Sequence, residues 1–214
     1  GRFGFGIGMS MPIASITDGN DAASVTQRLP DIPAYLQVNW GGSGHFRFSA
    51  LLRNLYYRDC LASRNVDVIG WGIKGSVVTP IAGALSACAQ AAYGKGITSY
   101  YQDLTWDGLD LANGAPGRME ALKSWGGYAG LNYDFSPKAH LSCSYSYLRL
   151  YSDGGRLPDC DAAYRYAQYV SGTFLYDISS WLSAGVEYLY GSRRQTDGAL
   201  FHTSRAQAAL MFNF

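Results

Sequence analysis

The sequence predicts an all-β fold, an antiparallel transmembrane β-barrel of about ten strands. Three observations predict it: segments that alternate apolar and polar residues, connections that alternate short and long, and aromatic residues near the ends of the segments. Alternation places one set of side chains on each face of a strand. A wall with hydrocarbon on one side and water on the other demands that pattern.

Periodicity and breakers give ten segments, at 2–16, 33–40, 44–58, 67–79, 84–102, 122–135, 139–151, 163–177, 181–193 and 201–214. The first alternates Phe3, Phe5, Ile7, Met9 and Met11 with Arg2, Gly4, Gly6, Gly8 and Ser10. The third alternates Phe46, Phe48, Ala50, Leu52 and Tyr56 with His45, Arg47, Ser49 and Arg53. The fourth sends Ile69, Trp71, Ile73 and Val77 to the side opposite Lys74. The eighth sets Tyr166, Val170, Phe174 and Tyr176 against Arg165, Tyr169, Ser171 and Thr173. The ninth sets Leu182, Val186, Tyr188 and Tyr190 against Glu187 and Arg193, and the last sets Leu210, Phe212 and Phe214 against Arg205.

The uncharged stretch from Gly75 to Gly94 has the length of a transmembrane helix. Pro80 in its middle and its polar residues make two strands joined at Thr79–Gly83 the better reading. Short links at Gly41–Ser43, Pro80–Gly83, Ser136–Lys138 and Ser179–Ser180 alternate with long polar ones. Short turns on one rim and long loops on the other are the outer-membrane arrangement, with the short turns periplasmic. A soluble sandwich alternates too, but a closed dry core does not hold the charges of the polar set.

At 214 residues the chain reads as one domain, 1–214, a mature chain or a fragment lacking N-terminal strands. A net charge of +1 names no partner, whereas 26 Gly and 17 Tyr with 15% charged residues suit a crowded wall and two wet interfaces. Cys60, Cys88, Cys143 and Cys160 form no CxxC pair. A Cys60–Cys160 bridge is permitted in an oxidising compartment, and two free thiols fit as well.

By parity the expected pore-lining residues are Arg47, Arg53, Lys74, Arg165, Arg193 and Arg205, with Glu187, and Arg2 joins them. Acids gather instead in the loops, among them Asp31, Asp59, Asp103 and Asp110. A basic lumen attracts anions and repels cations, and the arginine fork matches carboxylates. The bland alternative is that arginines brace the wall or pair with loop acids. Lys95 and Arg149 fall on the lipid side, near the loop-side strand ends, where a bulge, a protomer contact or lipid phosphates would accommodate them.

His140-Leu141-Ser142 resembles the His-x-Ser of outer-membrane phospholipase, but Cys143-Ser144 departs from that family's Asn-Gly. No catalytic set, no metal site and no cofactor is expected, and the histidines lack ligand spacing. Nucleic acid is not an expected partner.

Several stretches are similar to DcaP-type porins: Thr26-Gln27-Arg28-Leu29-Pro30-Asp31-Ile32-Pro33-Ala34-Tyr35, Leu51-Leu52-Arg53-Asn54-Leu55-Tyr56-Tyr57-Arg58-Asp59, Tyr93-Gly94-Lys95-Gly96-Ile97, Gly185-Val186-Glu187-Tyr188-Leu189-Tyr190-Gly191 and the terminal Phe212-Asn213-Phe214. That resemblance implies a sixteen-stranded homotrimeric channel of the bacterial outer membrane associated with dicarboxylate uptake. It makes the ten strands here the C-terminal part and places the inward-folded constriction loop of general porins elsewhere. It also makes Arg53 the foremost pore residue. The expected partners are outer-membrane lipid and lipopolysaccharide, sister protomers and small anionic solutes. The competing function is a structural or adhesive barrel with acidic partner-binding loops.

Overall fold

A computed structural model describes residues 2–16, 22–105, 109–113, 116–151 and 163–213. Ten long strands form one antiparallel wall, each paired to its neighbour in sequence order among the wall strands. They are β1 (Phe3–Ile7), β3 (Ile32–Trp40), β4 (Gly44–Asp59), β5 (Arg64–Ala82), β6 (Leu85–Lys95), β9 (Lys123–Ser136), β10 (Ala139–Tyr151), β11 (Tyr164–Ser179), β12 (Leu182–Gln195) and β13 (Leu200–Phe212). A short β2 (Ala22–Ser24) pairs with the end of β4, and β7 (Leu111–Asn113) with β8 (Met119–Ala121) forms a small hairpin apart from the wall. The wall does not close: β1 pairs with β3 alone and β13 with β12 alone among the described residues.

All ten expected segments are strands, and no helix is long and apolar enough to cross a membrane. The uncharged stretch is β5 and β6 joined at Gly83, whose φ of +53° suits a residue without a Cβ. Two segments are shorter than expected. The first strand ends at Ile7, and beyond it only isolated bridges form, from Ser10 to Asp31 and from Ile16 to Leu109 and Leu111. The fifth ends at Lys95, because Gly96 turns the chain with a φ of +65° and two 3-10 turns follow, at Thr98–Tyr100 and Gln102–Leu104.

The register assigns faces without ambiguity, since residues directly paired share one side. One face carries the rungs Phe3, Val38, Phe46, Val77, Ala89, Ala129, Tyr145, Val170 and Tyr190. This bare face is apolar, with exposed Phe5, Ile7, Leu131, Val186 and Leu210. Rings meet along it toward the long-loop rim: Trp71 with Tyr93 at 5.7 Å, Trp125 with Tyr147 at 5.0 Å, and Tyr147 with Tyr166 at 5.7 Å.

The opposite face carries the rung Gln37, Arg47, Ser76, Gln90, Tyr128, Ser146, Tyr169, Gly191 and Thr203. It is also covered by chain. The segment after β6 folds onto it, and among the described residues the dry cores lie between chain and wall on this face. Leu104, Leu109, Ala112 and Leu122 pack on Leu148, Leu150, Tyr164 and Ala167. Leu111, Met119 and Ala22 pack on Leu55 and Tyr57. The resemblance placed an inward-folding segment elsewhere in the barrel; the stretch after β6 is one. Cys60, Cys88 and Cys143 are free thiols, and Cys160 lies outside the described residues.

Gly96 directs the segment onto the wall, and a Cβ there meets Leu55 Cδ1 at 2.6 Å. Gly96→Ala is expected to cost about 1 kcal/mol or more through the left-handed φ. Limited proteolysis checks it: cleavage within 97–122 accelerates in Gly96→Ala but not in Gly172→Ala, where an added Cβ meets nothing within 4 Å.

Candidate functional site

The covered face gathers six of the seven expected site residues. Arg47 pairs with Ser76 across the β4–β5 ladder, Lys74 with Ser49, and Arg53 with Gly70. Arg193 pairs with Ala167, Glu187 with Thr173, and Arg205 with Leu189. These six therefore share one side of the wall. Lys74 and Arg193 belong to a single rung, five strand steps or about 24 Å apart along the wall. Arg165 is different: the β11–β12 ladder shifts between Tyr164 and Tyr166, leaving it at a bulge and exposed. Tyr164 takes the inward place on that rung, buried beside Leu148. Strict alternation cannot foresee a bulge, so the parity assignment of Arg165 does not hold across it.

Arg47 is exposed, with its Nε donating to Gln37 Oε1 at 2.7 Å and its guanidinium 4.6 Å above the Tyr35 ring. Arg193 is exposed and lies 5.0 Å from the Tyr164 ring. Arg205 is exposed, 3.7 Å from Glu187 Oε1. Glu187 is well held, accepting from Thr173 Oγ1 at 2.9 Å and Gln207 Nε2 at 2.8 Å. Lys74 has no ion-pair partner among the described residues. The aromatic and amide neighbours hold guanidinium planes flat against the wall and leave their charge facing outward from it.

Arg53 keeps the side its parity gave it but not the exposure expected of a pore-lining residue. Its side chain is 1% exposed, 3.3 Å from Asp31 Oδ2 and 3.4 Å from Asp110 Oδ1, both carboxylates fully buried. It also donates to Gly96 O at 2.8 Å, to Ser99 Oγ at 3.0 Å and to Ile13 O. It faces the expected side but offers no charge to a passing solute; here the bracing reading prevails. Gly70 makes room for it, since a Cβ there meets Arg53 Cγ at 2.7 Å. Asp110 accepts from Thr98 Oγ1 at 2.9 Å, Ser99 N at 3.1 Å and Ser15 N at 2.9 Å. Asp31 accepts from the Tyr100 hydroxyl at 2.7 Å. Burial, then the bond to Asp31, push the Tyr100 phenol up to about 12, so it remains a neutral donor. Two loop acids once available to an outside partner are thus consumed inside.

Between the 3-10 turns and the wall lies a recess of about 620 Å³, lined by Tyr35, Ser49, Lys74, Gln90, Tyr100 and Tyr101 among others. Tyr101 donates to Ala92 O at 3.1 Å, and burial pushes its phenol up to about 12. The wall here lacks bulk: Cβ atoms at Gly72 and Gly94 meet Ile97 Cδ1 at 3.0 and 2.8 Å, and one at Gly126 meets Tyr101 Cε1 at 3.1 Å. Lys74 is the cation within this recess. Sequence reasoning found Lys74 but not its tyrosine walls, because Tyr100 and Tyr101 fell at the end of an expected strand rather than in an inward turn.

Near the short-turn rim, His140 Nδ1 lies 2.7 Å from Asp134 Oδ1, and Nε2 lies 3.5 Å from Asp177 Oδ2. Asp177 was missed, although it shares the parity of Thr173. The imidazole is thus engaged on both nitrogens by carboxylates rather than aimed at Ser142. Among the described residues no group of His, Cys, Asp or Glu suits a metal ion.

No family model matches the sequence, and no curated protein matches it. Among solved structures, the outer membrane channel DcaP of Acinetobacter baumannii matches in fold with a TM-score of 0.84. This chain has the fold of an outer-membrane channel wall. At 19% identity the match covers 100% of this chain and 59% of that one. The chain therefore spans about three fifths of the channel's length, and the likeness extends to the architecture of wall and strand order.

Arg53→Ala leaves Asp31 and Asp110 buried without a counter-charge, and about 3–5 kcal/mol of stability is expected to go with it. The triple change Arg53→Met, Asp31→Asn, Asp110→Asn removes all three charges and is expected to recover most of that loss. Thermal unfolding in detergent, followed by circular dichroism, separates the two outcomes.

Proposed function

We propose that this chain builds part of the wall of a passive diffusion channel in a bacterial outer membrane, its covered face lining the water-filled path. The observation that carries the reading is the sorting of charge by face. Arg47, Lys74, Arg193 and Arg205 share the covered side with Glu187, while below the long-loop rim the bare side presents an apolar band. The inward-folded segment narrows the path beside Lys74. Cations placed where water is confined raise the local concentration of anions and repel cations. Arginine forks spread along the same face as a lysine suit carboxylates in particular, which makes small dicarboxylates the solute class we favour.

No bond is made or broken in this scheme; width and field do the selecting. The free edges of β1 and β13 expose unpaired backbone groups, which hydrocarbon does not tolerate. We therefore infer that further strands complete the barrel. A homotrimer in a lipopolysaccharide-bearing membrane follows from the same reading. The fold shared with an outer membrane channel supports it.

Planar bilayers test the selectivity. Under a salt gradient the reversal potential is expected to report anion preference, and Arg47→Glu with Lys74→Glu and Arg193→Glu is expected to shift it toward cations. A wild-type channel that is neutral or cation-selective overturns the basic-path reading. Sidedness has its own test. Val170→Arg, on the bare face, is expected to cost about 2–4 kcal/mol of folding into vesicles, whereas Ser171→Arg, one residue away on the other face, is tolerated.

A further inference from the structure

The bare face carries a second basic group that the channel reading does not use. Lys95 and Lys123 stand directly opposite each other across β6 and β9. Arg149 and Arg194 flank Tyr166 across β10, β11 and β12 on the neighbouring rung. All four lie on the apolar side: Lys95 pairs with Trp71 and Arg149 with Trp125, both exposed on that face. All four also sit at the long-loop end, on the same two rungs as Trp71, Tyr93 and Trp125 and one rung beyond Tyr147. Four cations thus occupy two adjacent rungs over about 20 Å of wall.

Like charges placed directly opposite on a ladder repel. The arrangement calls for an anion. Among the described residues no carboxylate pairs with Lys95, Arg149 or Arg194. The Nε atoms of Arg149 and Arg194 are buried and lack any hydrogen-bond partner. Arg149 stacks 4.9 Å from the Tyr151 ring, which holds its guanidinium in place. Aromatic rings at a membrane interface mark the depth of the headgroups, and cations at that depth meet lipid phosphates.

We propose that Lys95, Lys123, Arg149 and Arg194 form a binding site for the phosphate groups of a phosphorylated glycolipid in the outer leaflet. The guanidinium forks of Arg149 and Arg194 clamp one phosphate across Tyr166, and the two lysines receive a second. Acyl chains then lie down the apolar rungs below, along the groove of small residues Gly75, Ala89, Ala91, Gly127 and Ala129. The inference rests on the bare face meeting lipid, as proposed above.

The test measures lipid carried through purification from outer membranes in detergent, by mass spectrometry of lipopolysaccharide per protein. Arg149→Gln with Arg194→Gln is expected to retain roughly tenfold less than the wild type. Arg149→Lys with Arg194→Lys keeps most of it, and Arg47→Gln with Lys74→Gln, on the other face, keeps all of it. Re-addition of lipopolysaccharide restores binding to the wild type, while dephosphorylated lipopolysaccharide does not. Equal retention in wild type and the glutamine pair overturns the site, as does full competition by inorganic phosphate at the same concentration, which marks a soluble-anion site instead. Bilayer conductance is read on the same preparations. A wild type that conducts but retains no lipid sinks only this site, whereas one that never conducts sinks the channel reading.

Discussion

One buried cation fixes the interior of this wall. Arg53 reaches from β4 to carboxylates on either side, and through them to residues 13–15, 31, 96–100 and 110. Taking three charges out of water is costly, and only a full set of hydrogen bonds makes the arrangement tolerable. The set is nearly full: backbone carbonyls, Ser99, Thr98 and Tyr100 occupy most of the available donors and acceptors, and Asp31 Oδ1 and Arg53 Nε alone in the triad lack partners. What such a network contributes is position more than stability. It determines where the segment after β6 lies, and hence how much of the covered face is open to water.

Around that point the protein obeys two solvents rather than one. A globular domain buries its apolar set centrally, whereas here the largest apolar residues are exposed on the bare face and the dry clusters are confined to the segment–wall contact. Backbone groups are satisfied along the ladders, which run almost without a break from β3 to β13. The ladders also explain why charge can be sorted by face below the long-loop rim. With a period of two, one register error moves an entire strand's set to the wrong solvent.

That period is why so much was legible in the sequence. Ten segments and their two faces follow from alternation alone, and Arg47, Lys74, Arg193, Arg205 and Glu187 stand on the side that parity gave them. Alternation knows nothing of what folds over a face. Arg53 obeys its parity and is still lost to solvent, because its partners Asp31 and Asp110 are 22 and 57 residues away in loops. Arg165 sits where the ladder slips, and a slip resets the count locally. Asp177 had the right parity but stood beside a turn. Lys95 and Arg149, the two that broke the rule, stand on the bare face at the long-loop end, on the rungs of Trp71 and Trp125.

The glycines beneath the inward segment bind wall and loop into one inheritance. Gly72, Gly94 and Gly126 leave hollows that Ile97 and Tyr101 fill, and Gly70 leaves one that Arg53 fills. A segment transplanted onto a wall with ordinary side chains at those places would be held off by a methyl's width at each. Drift in either sequence is therefore answerable to the other, and the recess between them can be reshaped only by editing both together.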